Sequence, residues 1–219
     1  MILFFPGHKC SGSQLHIEGF SVMNMTYPWY DNHDSVVDLF DYCYTIVEMI
    51  LSQLIHSEGN NKTSEQLIHS EGNKIILIGH SMGSQFVYWI ASMLLLSFPE
   101  HKILCITIEG TLWGPFWWKP KALLERKRTA QDVRNKFIFH EITKFKCKQT
   151  KPLPCQVISF WNLGKDKDRN RRRRLHEKYW KSLGNYTSIS FSNLGHFMHE
   201  AHSKSFNKRL FKEIQRFYY

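Results

Sequence analysis

The sequence predicts an α/β protein with a mostly parallel central sheet flanked by helices, and two observations carry that prediction. Short apolar runs of strand length alternate along the chain with longer helix-like segments, the pattern of a parallel sheet with helical crossovers. One of these runs, Ile75 to Ile78, passes directly into Gly79-His-Ser-Met-Gly83, a Gly-x-Ser-x-Gly junction between strand and helix.

The elements follow in chain order. Met1 to Phe5 is a short apolar strand that ends in the turn Pro6-Gly7-His8, and Ser21 to Tyr27 is the next strand. The acidic segment Asp38-Leu-Phe-Asp-Tyr42 leads a long helix to about Ile55. Gln53 to Asn60 and Gln66 to Asn73 are both Gln-Leu-Ile-His-Ser-Glu-Gly-Asn, a direct repeat offset by thirteen residues. Two copies do not make a solenoid, so the repeat reads as a duplication that lengthens the connection before the next strand, and His56 and His69 gain no chemical weight from it. Ile75 to Ile78 is apolar throughout, as a central parallel strand covered on both faces requires. Ser84 to Phe98 contains no Gly or Pro, is dense in apolar residues, and is closed by Pro99. Strands then follow at Ile103–Ile108, Gln156–Trp161 and Thr187–Phe191, and a helix at Ser203–Phe217.

At the Gly-x-Ser-x-Gly junction the chain must turn so sharply that the apex residue is strained, with its side chain lifted out of the sheet. Gly79 and Gly83 occupy the positions where a side chain would strike the neighbouring strand and helix, and Ser81 occupies the apex. With strand, elbow and helix in order, the chain resembles the α/β-hydrolase superfamily over most of its length. The resemblance implies a serine nucleophile at Ser81 and a chain order of Ser, then acid, then His. A serine hydroxyl needs such partners, because it is a weak nucleophile at neutral pH without an adjacent base and a group that orients the base.

The base falls at His196. Ser192-Asn-Leu-Gly-His-Phe-Met-His-Glu200 follows the last strand and resembles the family's Gly-His loop. His196, His199 and His202 also space as His-x-x-His-x-x-His, but no second ligand cluster accompanies them, so neither a metal nor another cofactor is expected. The acid stays open among three residues. Asn162-Leu-Gly-Lys-Asp-Lys-Asp168 resembles the family's strand, Gly and catalytic Asp, yet the usual spacing from Gly164 lands on Lys167, between Asp166 and Asp168. Counting from Trp161 favours Asp166 through a one-residue insertion, whereas Asp168 adjoins Arg169 as a solvated loop charge would. Glu109 closes the strand Ile103–Ile108, from which some hydrolases of this fold take their acid.

Acyl transfer also needs two backbone donors for the oxyanion. The resemblance places one at Met82, the residue after the nucleophile, and the other at His8, because Pro6-Gly7-His8 resembles the family's His-Gly-x turn. Between Ile108 and Gln156 this fold often carries a cap, here at about 110–155. It opens on Leu112-Trp-Gly-Pro-Phe-Trp-Trp-Lys-Pro120, whose aromatics suit an acyl pocket or a lipid surface.

The chain, 219 residues long, makes one domain, and its first strand resembles the third of the standard fold, so the expected architecture is trimmed at the N-terminus. There are 29 Lys and Arg against 19 Asp and Glu, with the excess concentrated in Lys119–Lys151 and Arg169–Arg174. Such a balance draws a protein towards anionic lipid, nucleic acid or acidic substrates, although no nucleic-acid motif accompanies it and an arginine run is usually a solvated helix start. Five cysteines without a Cys-x-x-Cys pair suggest a reducing compartment. With neither a signal-peptide pattern nor a membrane-length apolar run, the expectation is a cytoplasmic protein. The expected function is a serine hydrolase acting on a small-molecule or lipid ester, or a thioester, of an apolar acyl group. The alternative is an inactive protein of the same fold that binds anionic lipid or nucleic acid through its basic surface. Composition is silent on oligomeric state.

Overall fold

The computed structural model describes residues 1–7, 14–31, 38–57, 74–110, 153–164, 167–181, 185–200 and 204–219. Its strands are β1 (Ile2–Phe5), β2 (Met23–Asn24), β3 (Lys74–His80), β4 (Lys102–Ile108), β5 (Gln156–Leu163) and β6 (Tyr186–Ser192). The helices are α1 (Pro28–Asp31), α2 (Leu39–Ser57), α3 (Gly83–Ser97), α4 (Lys167–Lys181) and α5 (Lys204–Tyr218). The expected alternation holds, and the six strands form one sheet in the order β2-β1-β3-β4-β5-β6. Every pairing among these six strands is parallel.

Alternation within the strands sorts the core onto two faces. Leu3, Phe5, Ile75, Leu77 and Cys105 point to one side, where they meet α2 and α3 through Ile46, Ile50, Phe86 and Ile90. Ile2, Phe4, Ile76, Ile78, Leu104 and Ile106 point to the other and meet Phe206, Leu210 and Ile214 of α5. Phe86 and Ile50 are completely buried, and removing each such side chain from water stabilises the fold by about 1.5–3 kcal/mol. Apolar residues on both faces explain why Ile75 to Ile78 carries no polar alternation.

Local signals set several element ends. Asp38 caps α2, its Oδ1 accepting from the N–H groups of Phe40 and Asp41, both at 3.0 Å. The N–H of Phe98 closes α3 onto the Leu94 carbonyl at 2.7 Å, and Pro99 cannot continue the helix. β2 is shorter than the expected strand over Ser21–Tyr27. The Asn24 side chain accepts from the Leu15 N–H at 2.7 Å, and Tyr27 leaves the sheet edge to stack on Trp29 with ring centroids 5.2 Å apart. The arginine run begins in the first turn of α4, at its third residue, Arg169.

The chain runs from β1 out to β2, then returns past β1 to β3 and continues in the opposite direction, so the strand order reverses between β1 and β3. In open parallel sheets, ligands bind at the carboxyl ends of the strands beside such a switch point. The register brings those ends level: Phe5 pairs with Gly79, His80 with Ile108, and Ile108 with Phe160.

Candidate active site

The elbow at the end of β3 sits at this switch point, and its glycines are sterically required. A Cβ on Gly83 would stand 2.0 Å from the Phe5 carbonyl oxygen, and one on Gly79 would stand 2.6 Å from the backbone of Gly83 and Ser84. Ser81 has φ 51°, in the left-handed region that a serine rarely adopts. It is held there from both sides. Its N–H donates to the Ile108 carbonyl at 2.9 Å, and the buried Ser84 hydroxyl donates back to the Gly79 carbonyl at 3.0 Å. Met82 and Ser81 precede the first turn of α3, where the positive end of the helix dipole favours developing negative charge.

Glu109 follows Ile108 directly, also in the left-handed region at φ 51°. Its N–H donates to the Phe160 carbonyl at 2.9 Å, which turns the side chain along the sheet's carboxyl edge. The carboxyl side chain is 1% exposed, and a buried carboxylate is costly unless it is paired and hydrogen-bonded. Both oxygens are engaged: Oε1 accepts from the Asn162 N–H, and Oε2 faces the His196 Nδ1 at 3.5 Å. The His196 side chain is 31% exposed.

The loop that carries His196 is anchored to two strands. Leu194 donates its N–H to the Asn162 Oδ1 at 3.0 Å, and the His196 carbonyl lies 3.0 Å from the Nε2 of His80. His80 itself is fully buried, its ring centroid 4.7 Å from that of His196 and 4.2 Å from that of His199. Burial lowers its pKa to about 2, with the neighbouring His199 and His196 adding to the effect. His199 is lowered to about 4 by the same cause, partly offset by Glu200. Both rings are therefore neutral at ordinary pH. On the opposite wall Gly7 approaches closely, since a Cβ there would lie 2.7 Å from His80 Nδ1 and 3.3 Å from the Ser81 Cβ. The Tyr27 hydroxyl fixes this wall by donating to the Pro6 carbonyl at 2.7 Å.

The structure thus brings together Ser81, Met82, Glu109 and His196 from the expected residues. Asp166 and His8 lie outside the described residues, as do His202 and the cap expected at about 110–155 apart from its ends. Asp168 falls in the first turn of α4. Sequence reasoning missed Asn162, His80 and Gly110. Asn162 read as the first residue of an acid-bearing loop, and His80 as the variable position of the motif. Gly110 follows Glu109 at a point where a Cβ would sit 2.1 Å from the Ser84 hydroxyl and 2.4 Å from the Ser81 carbonyl oxygen. The Glu-Gly pair closing an apolar strand was the available signal. Among the described residues there is no group of three or more His, Cys, Asp or Glu arranged to hold a metal.

No family model matches the sequence, and no curated protein matches it. Solved structures do. MGS-MChE2, an α/β hydrolase enzyme from the metagenome of sediments from the lagoon of Mar Chica, Morocco, is similar with a TM-score of 0.63 at 14% identity, over 100% of this chain and 91% of that one. MenH from S. aureus gives 0.57 at 14% identity, over 100% and 94%. The RedJ thioesterase from the prodiginine biosynthetic pathway in Streptomyces coelicolor gives 0.54 at 16% identity, over 99% and 89%. The chain has the α/β-hydrolase fold. No helix among the described residues is long and apolar enough to cross a membrane.

Proposed function

We propose that this protein is a serine hydrolase that cleaves an ester or thioester of an apolar acyl group through an acyl-enzyme. The observation that carries the reading is the buried Glu109 carboxylate facing His196 Nδ1, one residue beyond the carbonyl that holds Ser81 in its strained turn. In this reading Ser81 attacks the carbonyl carbon while His196 accepts the hydroxyl proton. The tetrahedral oxyanion rests on the backbone N–H groups of Met82 and His8, and collapses as His196 returns the proton to the leaving alkoxide or thiolate. Water, deprotonated by His196, then attacks the acyl-Ser81 ester, and the imidazolium returns that proton to the departing Ser81 oxygen as the acid is released. Glu109 holds the imidazole with Nδ1 protonated and stabilises the imidazolium formed at each step. The α/β hydrolase and thioesterase among the similar structures support an ester or thioester bond as the target.

A serine-directed fluorophosphonate with a mass-spectrometric readout tests this directly. The expected result is one adduct per chain, at Ser81, together with hydrolysis of short-chain aryl esters or acyl thioesters, both abolished in Ser81→Ala. A folded wild type that neither labels nor turns over a broad panel of both would leave the binding-protein reading. That second reading has its own support in α4, where Arg171, Arg174, Lys178 and Lys181 are all exposed.

A further inference from the structure

We infer that His80 and Asn162 are positioning residues that clamp the loop 193–196 at two points and thereby set where the His196 imidazole aims, an inference that rests on the reading of Ser81 and His196 as nucleophile and base.

The first point is the His80 ring. A carbonyl oxygen only accepts, so the 3.0 Å contact between His80 Nε2 and the His196 carbonyl fixes the proton on Nε2. The other nitrogen, Nδ1, is then bare. It is buried without a hydrogen-bond partner and faces the backbone at Gly7. Leaving one imidazole nitrogen unsatisfied in the interior costs free energy, and the bond to the His196 carbonyl is the contact that offsets it. The depressed pKa keeps this ring neutral, so Nδ1 carries no proton while Nε2–H donates to the His196 carbonyl.

The second point is Asn162, at the carboxyl end of β5. Its side-chain oxygen accepts from the Leu194 N–H at 3.0 Å, while its own backbone N–H donates to Glu109. One residue therefore ties the acid to the loop that carries the base. Around this second point the backbone is kinked, with Asn193 at φ 64° just before Leu194 and Gly195 at φ 76° just after it. Glycine takes the left-handed region freely, whereas a non-glycine residue such as Asn193 persists there where its surroundings over-determine it. The division of labour is between ring and backbone: Glu109 turns the imidazole, and the clamp places the chain from which the imidazole hangs. Displacing that chain by about 1 Å is enough to cost ~10²-fold in rate.

The test compares His80→Phe, which keeps an aromatic ring but cannot donate, with His80→Gln, whose amide N–H can stand where Nε2–H stood. Asn162→Leu, similar in size and without an acceptor, cuts the second point and leaves the backbone donor to Glu109 in place. For variants shown to be folded by their thermal melts, the expected result on a short aryl ester is a fall in kcat of ~10²-fold for His80→Phe and for Asn162→Leu, with KM nearly unchanged. His80→Gln should recover most of the loss. In parallel, amide exchange followed by NMR should show Leu194 protected in the wild type and exposed in Asn162→Leu. Wild-type kcat in the folded Phe and Leu variants would overturn the inference, as would a Leu194 amide that exchanges freely in the wild type. A wild type inert to esters, thioesters and phosphonate would be a failure of the hydrolase reading instead, and the Leu194 exchange comparison would still decide the clamp. Should His80→Phe not fold, Asn162→Leu and His80→Gln carry the decision.

Discussion

Among the described residues, the non-glycine positions with positive φ are Ser81, Glu109 and Asn193, and all three belong to one site. Such conformations cost of order 1–3 kcal/mol each and survive where the surroundings impose them. Here the imposing contacts are specific, and each strained residue offers a different group to the same edge of the sheet: a hydroxyl, a carboxylate and the lead into an imidazole. The carboxylate separates this arrangement from a serine merely placed in a tight turn, because it puts a buried acid 3.5 Å from the His196 Nδ1. Glu109→Gln keeps the size and the acceptor for Asn162 but removes that charge. Losing the corresponding group in a well-studied triad lowers turnover by ~10⁴-fold with the geometry intact. A fall of roughly 10³- to 10⁴-fold in kcat is expected for Glu109→Gln, against changes of a few-fold for Asp166→Asn and Asp168→Asn. Steady-state rates of the folded variants on one ester check this, and near-normal turnover in Glu109→Gln with a collapse in Asp166→Asn would return the orienting role to the loop after β5.

Elements differ in how far local sequence determines them. β3, α3, β4 and α5 were legible because each has a pattern of its own: an apolar run, a Gly-free amphipathic or buried stretch, a closing Pro. β2 was overestimated, since Ser21 to Tyr27 has the composition of a strand while Asn24 and Tyr27 spend their polar groups on Leu15 and Pro6. The acid was the harder case. Spacing along the chain points to the loop after β5, where Asp166 lies outside the described residues, whereas the contact of Glu109 with His196 depends on the register of three neighbouring strands, and register across a parallel sheet leaves no local mark. The same holds for Asn162 and His80, whose partners are far away in sequence. α4 is the element whose composition the proposed chemistry does not use. Arg171, Arg174, Lys178 and Lys181 follow helical spacing and stand exposed, whereas Arg173 is turned to Glu177 and Ser190. If this stripe docks on an anionic surface, binding to acidic vesicles should weaken steeply between low and physiological salt. Replacing all four with Gln should flatten the dependence and leave turnover of small esters unchanged. Binding in a sedimentation assay that is indifferent to the replacement would assign these residues to ordinary solvation.

At the scale of the whole molecule, three histidines are sealed in neutral form on two sides of the sheet. His80, His199 and His176 are 0%, 4% and 3% exposed, and burial lowers their pKa values to about 2, about 4 and about 3. In the unfolded chain each titrates near the ordinary value of 6.5. As pH falls below that value the unfolded state takes up protons that the folded state refuses, so stability is whole above about pH 6.5 and declines with acidification. Each group contributes a slope of about 1.4 kcal/mol per pH unit until its folded pKa is reached. Three together give roughly 2 kcal/mol per unit at pH 6.5 and approach roughly 4 by pH 5, a range in which carboxylates have scarcely begun to protonate. A domain stabilised by about 5–15 kcal/mol cannot absorb much of that, and the formal net charge of +10 adds self-repulsion as histidines charge. Urea unfolding followed from pH 8 to 5 should therefore show a midpoint that is level at first and then drops sharply below about 6.5. His176 allows the cause to be isolated, because it packs between Trp161 and Tyr186, neither of which the proposed chemistry uses. His176→Phe preserves the ring and removes one titrating group, so its acid slope should be about a third shallower. A slope that does not change in the folded variant would mean that His176 is not what the acid limb reports, and that the molecule loosens around it before it protonates.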